Sequence, residues 1–182
     1  SVPQNFSSLF IERVKDVREW MAPMSQYFNE GESAHYCDFL DNFHAQNQEW
    51  FDTALSAEVT ADGDFHSQNA IYSDHKFSLM DTYPPKDEWG LGHKHIALYR
   101  IGVDIWGLTG KKEFFEAFIR GYEVGNNAKV DRKLDNVFVV YVACIAVSYF
   151  YMLQQSDPTK VEPARKFHEF LRNYYDSITV SQ

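Results

Sequence analysis

The stretch VFVVYVACIAVSYFYML, running from Val137 to Leu153, decides the fold. Its length falls at the short edge of a membrane span, which takes roughly 20 apolar residues. It also carries Tyr141, Ser148, Tyr149 and Tyr151. The stretch therefore reads as a buried core helix, extending from Asp131 to about Gln155, and no membrane association is expected. A helix apolar on nearly every face belongs at the centre, with the other elements around it.

Working outward, apolar residues recur at helical spacing on both sides. Leu9, Phe10, Val14, Val17, Trp20, Met21 and Met24 form one stripe, with Arg13 as its polar exception and Ser7 or Ser8 as cap. Pro23 ends or kinks that helix. A second helix is expected from Ser33 to about Leu55, and a third from Ser67 to Tyr83. Pro84-Pro85 breaks the chain. A fourth helix is expected from Gly92 to Trp106, and a fifth from Lys111 to Val124, with Gly125 as its C-terminal cap. The last starts at Asp157-Pro158 and turns Val161, Ala164, Phe167, Leu171, Tyr174 and Ile178 inward.

Period-two alternation is nowhere sustained. The expectation is an all-α fold of about seven helices, a bundle or orthogonal array around the helix at 131–155. The 182 residues fit a single domain, whose internal break at 84–92 is not a domain linker. In that break, Trp89 and its apolar neighbours either tuck into the core or anchor a partner. Cys37 and Cys144 read as two buried thiols. With no secretory signal in view, the expected location is cytoplasmic.

Charge is distributed unevenly. The chain carries a formal −9, yet residues 29–90 alone hold thirteen acids against Lys76 and Lys86, a net −11. Residues 1–28 are neutral and residues 91–182 carry +2. Such segregation costs stability through self-repulsion. It suits a docking face for a basic protein partner, with opposed potentials steering the encounter. The residues expected to bind are Asp38, Asp41, Glu49, Asp52, Asp62, Asp64, Asp87, Glu88 and Trp89. A helical, acidic, cytoplasmic protein of this build, without a catalytic motif, fits an immunity protein or antitoxin-type inhibitor of a basic toxin. A nucleic-acid partner is not expected, because the basic clusters are small and interleaved with acids. A homodimer through exposed aromatic residues stays open.

A second reading is a metal-dependent helical enzyme holding Zn, Fe or Mn. Its ligands would come from Glu32, His35, His44, His75, His93 and His95. Glu32-Ser33-Ala34-His35 has the Glu-x-x-His spacing that places both ligands on one helical face, and Asp41-Asn42-Phe43-His44 is a variant. At about 100° per residue, nine steps turn the two pairs to opposite sides of one helix. His93-Lys94-His95 suits a shared ligand on a strand or loop but not on a helix. A third reading is a small-molecule binder with an aromatic-lined pocket.

Overall fold

In the computed structural model of the chain, which describes residues 6–53, 59–60, 70–74, 76–79 and 92–180, helices α1 (Phe6–Met21), α2 (Glu32–Gln46), α3 (Gln48–Thr53), α4 (Lys94–Thr109), α5 (Lys112–Asn126), α6 (Asp135–Gln154) and α7 (Val161–Thr179) set the architecture. The fold is all-α. Helix α6 is the core helix anticipated from 137–153: it packs against α1, α2, α4 and α7, and Val137–Ala143 along it is buried without interruption. By length and composition it could cross a membrane, but most of its apolar window is enclosed by the other helices.

The surrounding helices present single apolar faces to α6. In α1 that face is Phe10, Val14, Val17 and Met21; in α7 it is Ala164, Phe167 and Leu171. Both follow the three-to-four spacing that puts residues on one side of a helix. Two glycines in α4 let its neighbours come close. A Cβ on Gly102 would lie 2.7 Å from Phe115 Cδ2, and one on Gly107 only 2.4 Å from Phe167 Cε1. Cys37 and Cys144 are both buried and unpaired by any disulfide.

Local chemistry explains two of the helix boundaries. Pro23 falls in the first positions of a 3-10 turn, Ala22–Tyr27, that stops α1. The Asp157 side chain accepts from the Thr159 N–H at 3.0 Å, capping the 3-10 turn Pro158–Lys160 that leads into α7.

Four expected boundaries differ. Ser7 and Ser8 lie inside α1, and the Ser7 hydroxyl is engaged with His44 instead of capping. The helix expected over 33–55 is two, divided at Asn47. The Asn47 side-chain amide donates to the Phe43 carbonyl at 2.8 Å, and its backbone leaves helical geometry. This is how Asn competes with a helix for its own backbone. Helix α5 passes Gly125 and is capped by Asn127 in the left-handed region, φ 46°, which Asn also tolerates. Helix α4 starts at Lys94, since Gly92–His93 is strand β4, paired antiparallel with β1 (Val59–Thr60).

The helix expected over 67–83 is replaced by a hairpin. Strands β2 (Ala70–Ser73) and β3 (Lys76–Leu79) pair antiparallel, Tyr72 opposite Phe77. Asp74 sits in the connection with φ 50°, the left-handed turn geometry that Asp accepts. Aromatic and β-branched residues at Ile71, Tyr72 and Phe77 favour strands over helix. Four-residue strands are too short to show as sustained alternation.

Candidate functional site

Except for Glu32, the acids of α2 and α3 lie on the outer surface because the opposite face of α2 is spent on the core, through Tyr36, Cys37 and Leu40. Asp38, Asp41, Glu49 and Asp52 are exposed. Arg18 of α1 reaches across to two of them, its Nη2 lying 3.3 Å from Asp38 and 2.9 Å from Asp41. Exposed pairs of this kind are worth about 0–1 kcal/mol, so they orient these carboxylates without neutralising the surface. Asp62, Asp64, Asp87, Glu88 and Trp89 lie outside the described residues.

The other concentration of polar chemistry is half-buried, running inward from Arg172 to His168. It was not anticipated as a group, although Glu32 belongs to it. Gly31, at φ 73° in the left-handed region that favours glycine, turns the chain into α2. The first residue of that helix, Glu32, is thereby aimed at α7. Arg172 clasps its carboxylate with two hydrogen bonds, the Nη2–Oε2 contact being 2.8 Å. Tyr36, one turn along α2, donates to Oε1 at 2.8 Å, and the Asn29 N–H donates to Oε2 at 2.8 Å. Burial alone would raise this carboxyl. The Arg172 guanidinium, the Asn29 N–H and the Tyr36 hydroxyl outweigh it and bring it down to about 2. Burial, together with the same carboxylate, pushes the Tyr36 hydroxyl well up.

His168, only 3% exposed, completes the group. Its Nε2 lies 3.4 Å from Glu32 Oε1, near enough to pair electrostatically but without forming a hydrogen bond. Its Nδ1 meets the Tyr151 hydroxyl. The Glu32 carboxylate facing Nε2 favours the ring proton on that nitrogen, which leaves Nδ1 to accept from the Tyr151 hydroxyl. Burial and the Arg172 guanidinium hold His168 below the ordinary histidine value, against the pull of Glu32. Tyr27 stacks on Tyr151 with centroids 4.1 Å apart, and Phe28 covers His168 at 4.7 Å. A Tyr–His–Glu–Arg chain thus joins α6, α7 and α2.

This arrangement takes Glu32 out of the metal reading. Both of its oxygens already accept hydrogen bonds, two of them from a guanidinium that repels cations. His35 is exposed and contributes its backbone carbonyl to Tyr175, 3.3 Å away. His44 faces α1, where its Nε2 is 2.7 Å from the Ser7 hydroxyl, and it packs on Phe10 and Phe51. Glu32 and His44 therefore meet different helices, as their spacing requires. His75 lies outside the described residues. His93 is placed in β4 and His95 in α4 by backbone alone. Among the described residues, no group of three His, Cys, Asp or Glu side chains converges to hold a metal ion.

The sequence carried a signal for the buried chain. His168 and Arg172 lie four residues apart, beside Ala164, Phe167 and Leu171 on the inward stripe of α7. A histidine on an apolar stripe needs a polar partner, and an arginine one turn away points to an acid. Nothing in α7 itself indicated that the acid would be Glu32, 140 positions away.

No family model, curated protein or solved structure matches the chain.

Proposed function

We propose that the protein binds a basic protein partner through the acidic outer surface of α2 and α3, in the manner of an immunity protein or antitoxin-type inhibitor. One observation carries this reading: Asp38, Asp41, Glu49 and Asp52 are all exposed on consecutive helices of a segment whose net charge is −11 while the rest of the chain carries +2. A single-sign surface of this kind steers an oppositely charged partner and rejects like-charged ones. The Arg18 contacts fit the same role, since a preset carboxylate loses less side-chain freedom on binding.

The test is capture by immobilised protein at about 0.1 M and about 1 M salt, where the screening length falls from about 10 Å to about 3 Å. A captured protein is then purified and titrated against wild type and the variant Asp38→Lys, Asp41→Lys, Glu49→Lys, Asp52→Lys. The expected result is a basic partner bound by wild type at low salt, lost at high salt, and not bound by the variant at either. Undiminished binding by a variant that retains the wild-type circular dichroism spectrum would rule out this surface.

A further inference from the structure

We infer that the Tyr151–His168–Glu32 chain is an acid-operated latch on the segment Tyr27–Gly31, releasing that segment when His168 takes up a proton.

Three contacts tie Tyr27, Phe28 and Asn29 to the chain, while Met24 just before them is rooted in the core at 6% exposure. Tyr27 stacks on Tyr151, with planes only 9° apart. Phe28 packs on the His168 ring. The Asn29 N–H ends on the Glu32 carboxylate. A further weak contact runs from the Gln155 amide to Met24 Sδ at 3.7 Å. Beyond Met24, the contacts of Tyr27, Phe28 and Asn29 thus end on residues whose hydrogen bonding depends on one imidazole.

Neutral His168 fits this site in one tautomer, accepting from Tyr151 at Nδ1 and presenting N–H toward Glu32 at Nε2. A second proton reverses one of these relations. Nδ1 then carries a hydrogen, so the Tyr151 hydroxyl must accept and turn its own proton into buried surroundings, since Tyr151 is 5% exposed. The imidazolium also competes with Arg172 and the Asn29 N–H for the Glu32 carboxylate. Drawing that carboxylate toward Nε2 lengthens the bond that ends the segment. A buried imidazolium further demands water, and the half-buried Tyr27 and Phe28 cover it on the segment's side.

The charged and titratable surroundings are few. Helix α2 presents Glu32 and Tyr36, α6 presents Tyr151, the segment presents Tyr27, and α7 itself supplies Arg172. Helix α4 meets α7 through Trp106 and Gly107, which are uncharged. In the turn before α7, Asp157 and Lys160 pair with one another at 3.9 Å. Burial and Arg172 oppose protonation of His168 and outweigh Glu32, which favours it, so the proton enters below the ordinary histidine value of about 6.5.

The experiment is an NMR titration of the whole chain from pH 8 to pH 5, following the His168 ring and the backbone amides. Phe28 and Asn29 amides should shift with the same midpoint as His168, while Phe115 and Ile119 in α5 stay in place. His168→Gln, which cannot titrate, should abolish the shift at Phe28 and Asn29. Three results would overturn the latch: these amides unmoved as His168 titrates, the same transition in His168→Gln, or His168 protonating only as the α5 amides are lost with the whole fold. Should His168→Gln fail to fold, the wild-type midpoints decide alone, and unequal midpoints refute the inference.

Discussion

Replacing Glu32 by Gln preserves the size of the side chain and removes its charge, which tests the buried chain at its centre. The carboxyl is brought from its ordinary 4.5 to about 2 in the folded protein. At about 1.4 kcal/mol per tenfold change in the proton equilibrium, that displacement corresponds to at most ~3.5 kcal/mol. Arg172 is 38% exposed, so screening reduces the figure, and about 2 kcal/mol is the working expectation. Because the folded-state value is depressed, this stability is fully present above pH 4.5, and it is lost as pH falls through about 2. His168 acts in the same direction over a higher range. Its folded-state value lies below the ordinary 6.5, so the unfolded chain takes up that proton first and stability declines as pH drops below 6.5. Urea unfolding followed by circular dichroism should show Glu32→Gln less stable than wild type by about 2 kcal/mol at pH 7, with the two curves converging as pH falls from 4.5 toward about 2. The His168 contribution should survive in both. A constant difference between wild type and variant across that acid range would refute the assignment of the stability to the Glu32 charge.

Three further outcomes follow from local geometry. Gly107→Ala gains about 1 kcal/mol of helix propensity, yet its Cβ would fall 2.4 Å from Phe167, a fully buried ring stacked on Phe150 at 5.5 Å. Overpacking of this kind costs about 1–3 kcal/mol, so thermal unfolding should fall by several degrees, whereas Gly121→Ala in α5, with open space around its Cβ, should raise it. Asp157→Ala removes the cap that receives the Thr159 N–H and hydroxyl, and denaturant unfolding should show a lower midpoint. An unchanged midpoint would show that the turn before α7 is held by packing alone.

The core was legible because burial on all sides leaves a continuous mark in sequence. Val137 to Leu153 could not be a surface helix, and its neighbours' stripes at three-to-four spacing followed from having to cover it. Helix ends were legible where one residue settles the matter, as at Pro23 and Asp157. They were not where two residues compete, as Gly125 and Asn127 did for the cap of α5. The hairpin at 70–79 escaped because four-residue strands give too few alternations to separate from a polar helix.

By itself the sequence determined the all-helical core and the concentration of negative charge in residues 29–90, since both are sums over neighbouring residues. Which individual charges face solvent and which are buried was decided only by tertiary structure. Glu32 and Asp38 lie six positions apart on α2, yet one meets Arg172 and His168 in the interior and the other stays exposed beside Arg18. The physical reason is that a buried charge is tolerated only where a distant part of the chain returns a partner to it. That partner, 140 residues away, is named by the packing of α7 against α2 and α6 and by nothing local.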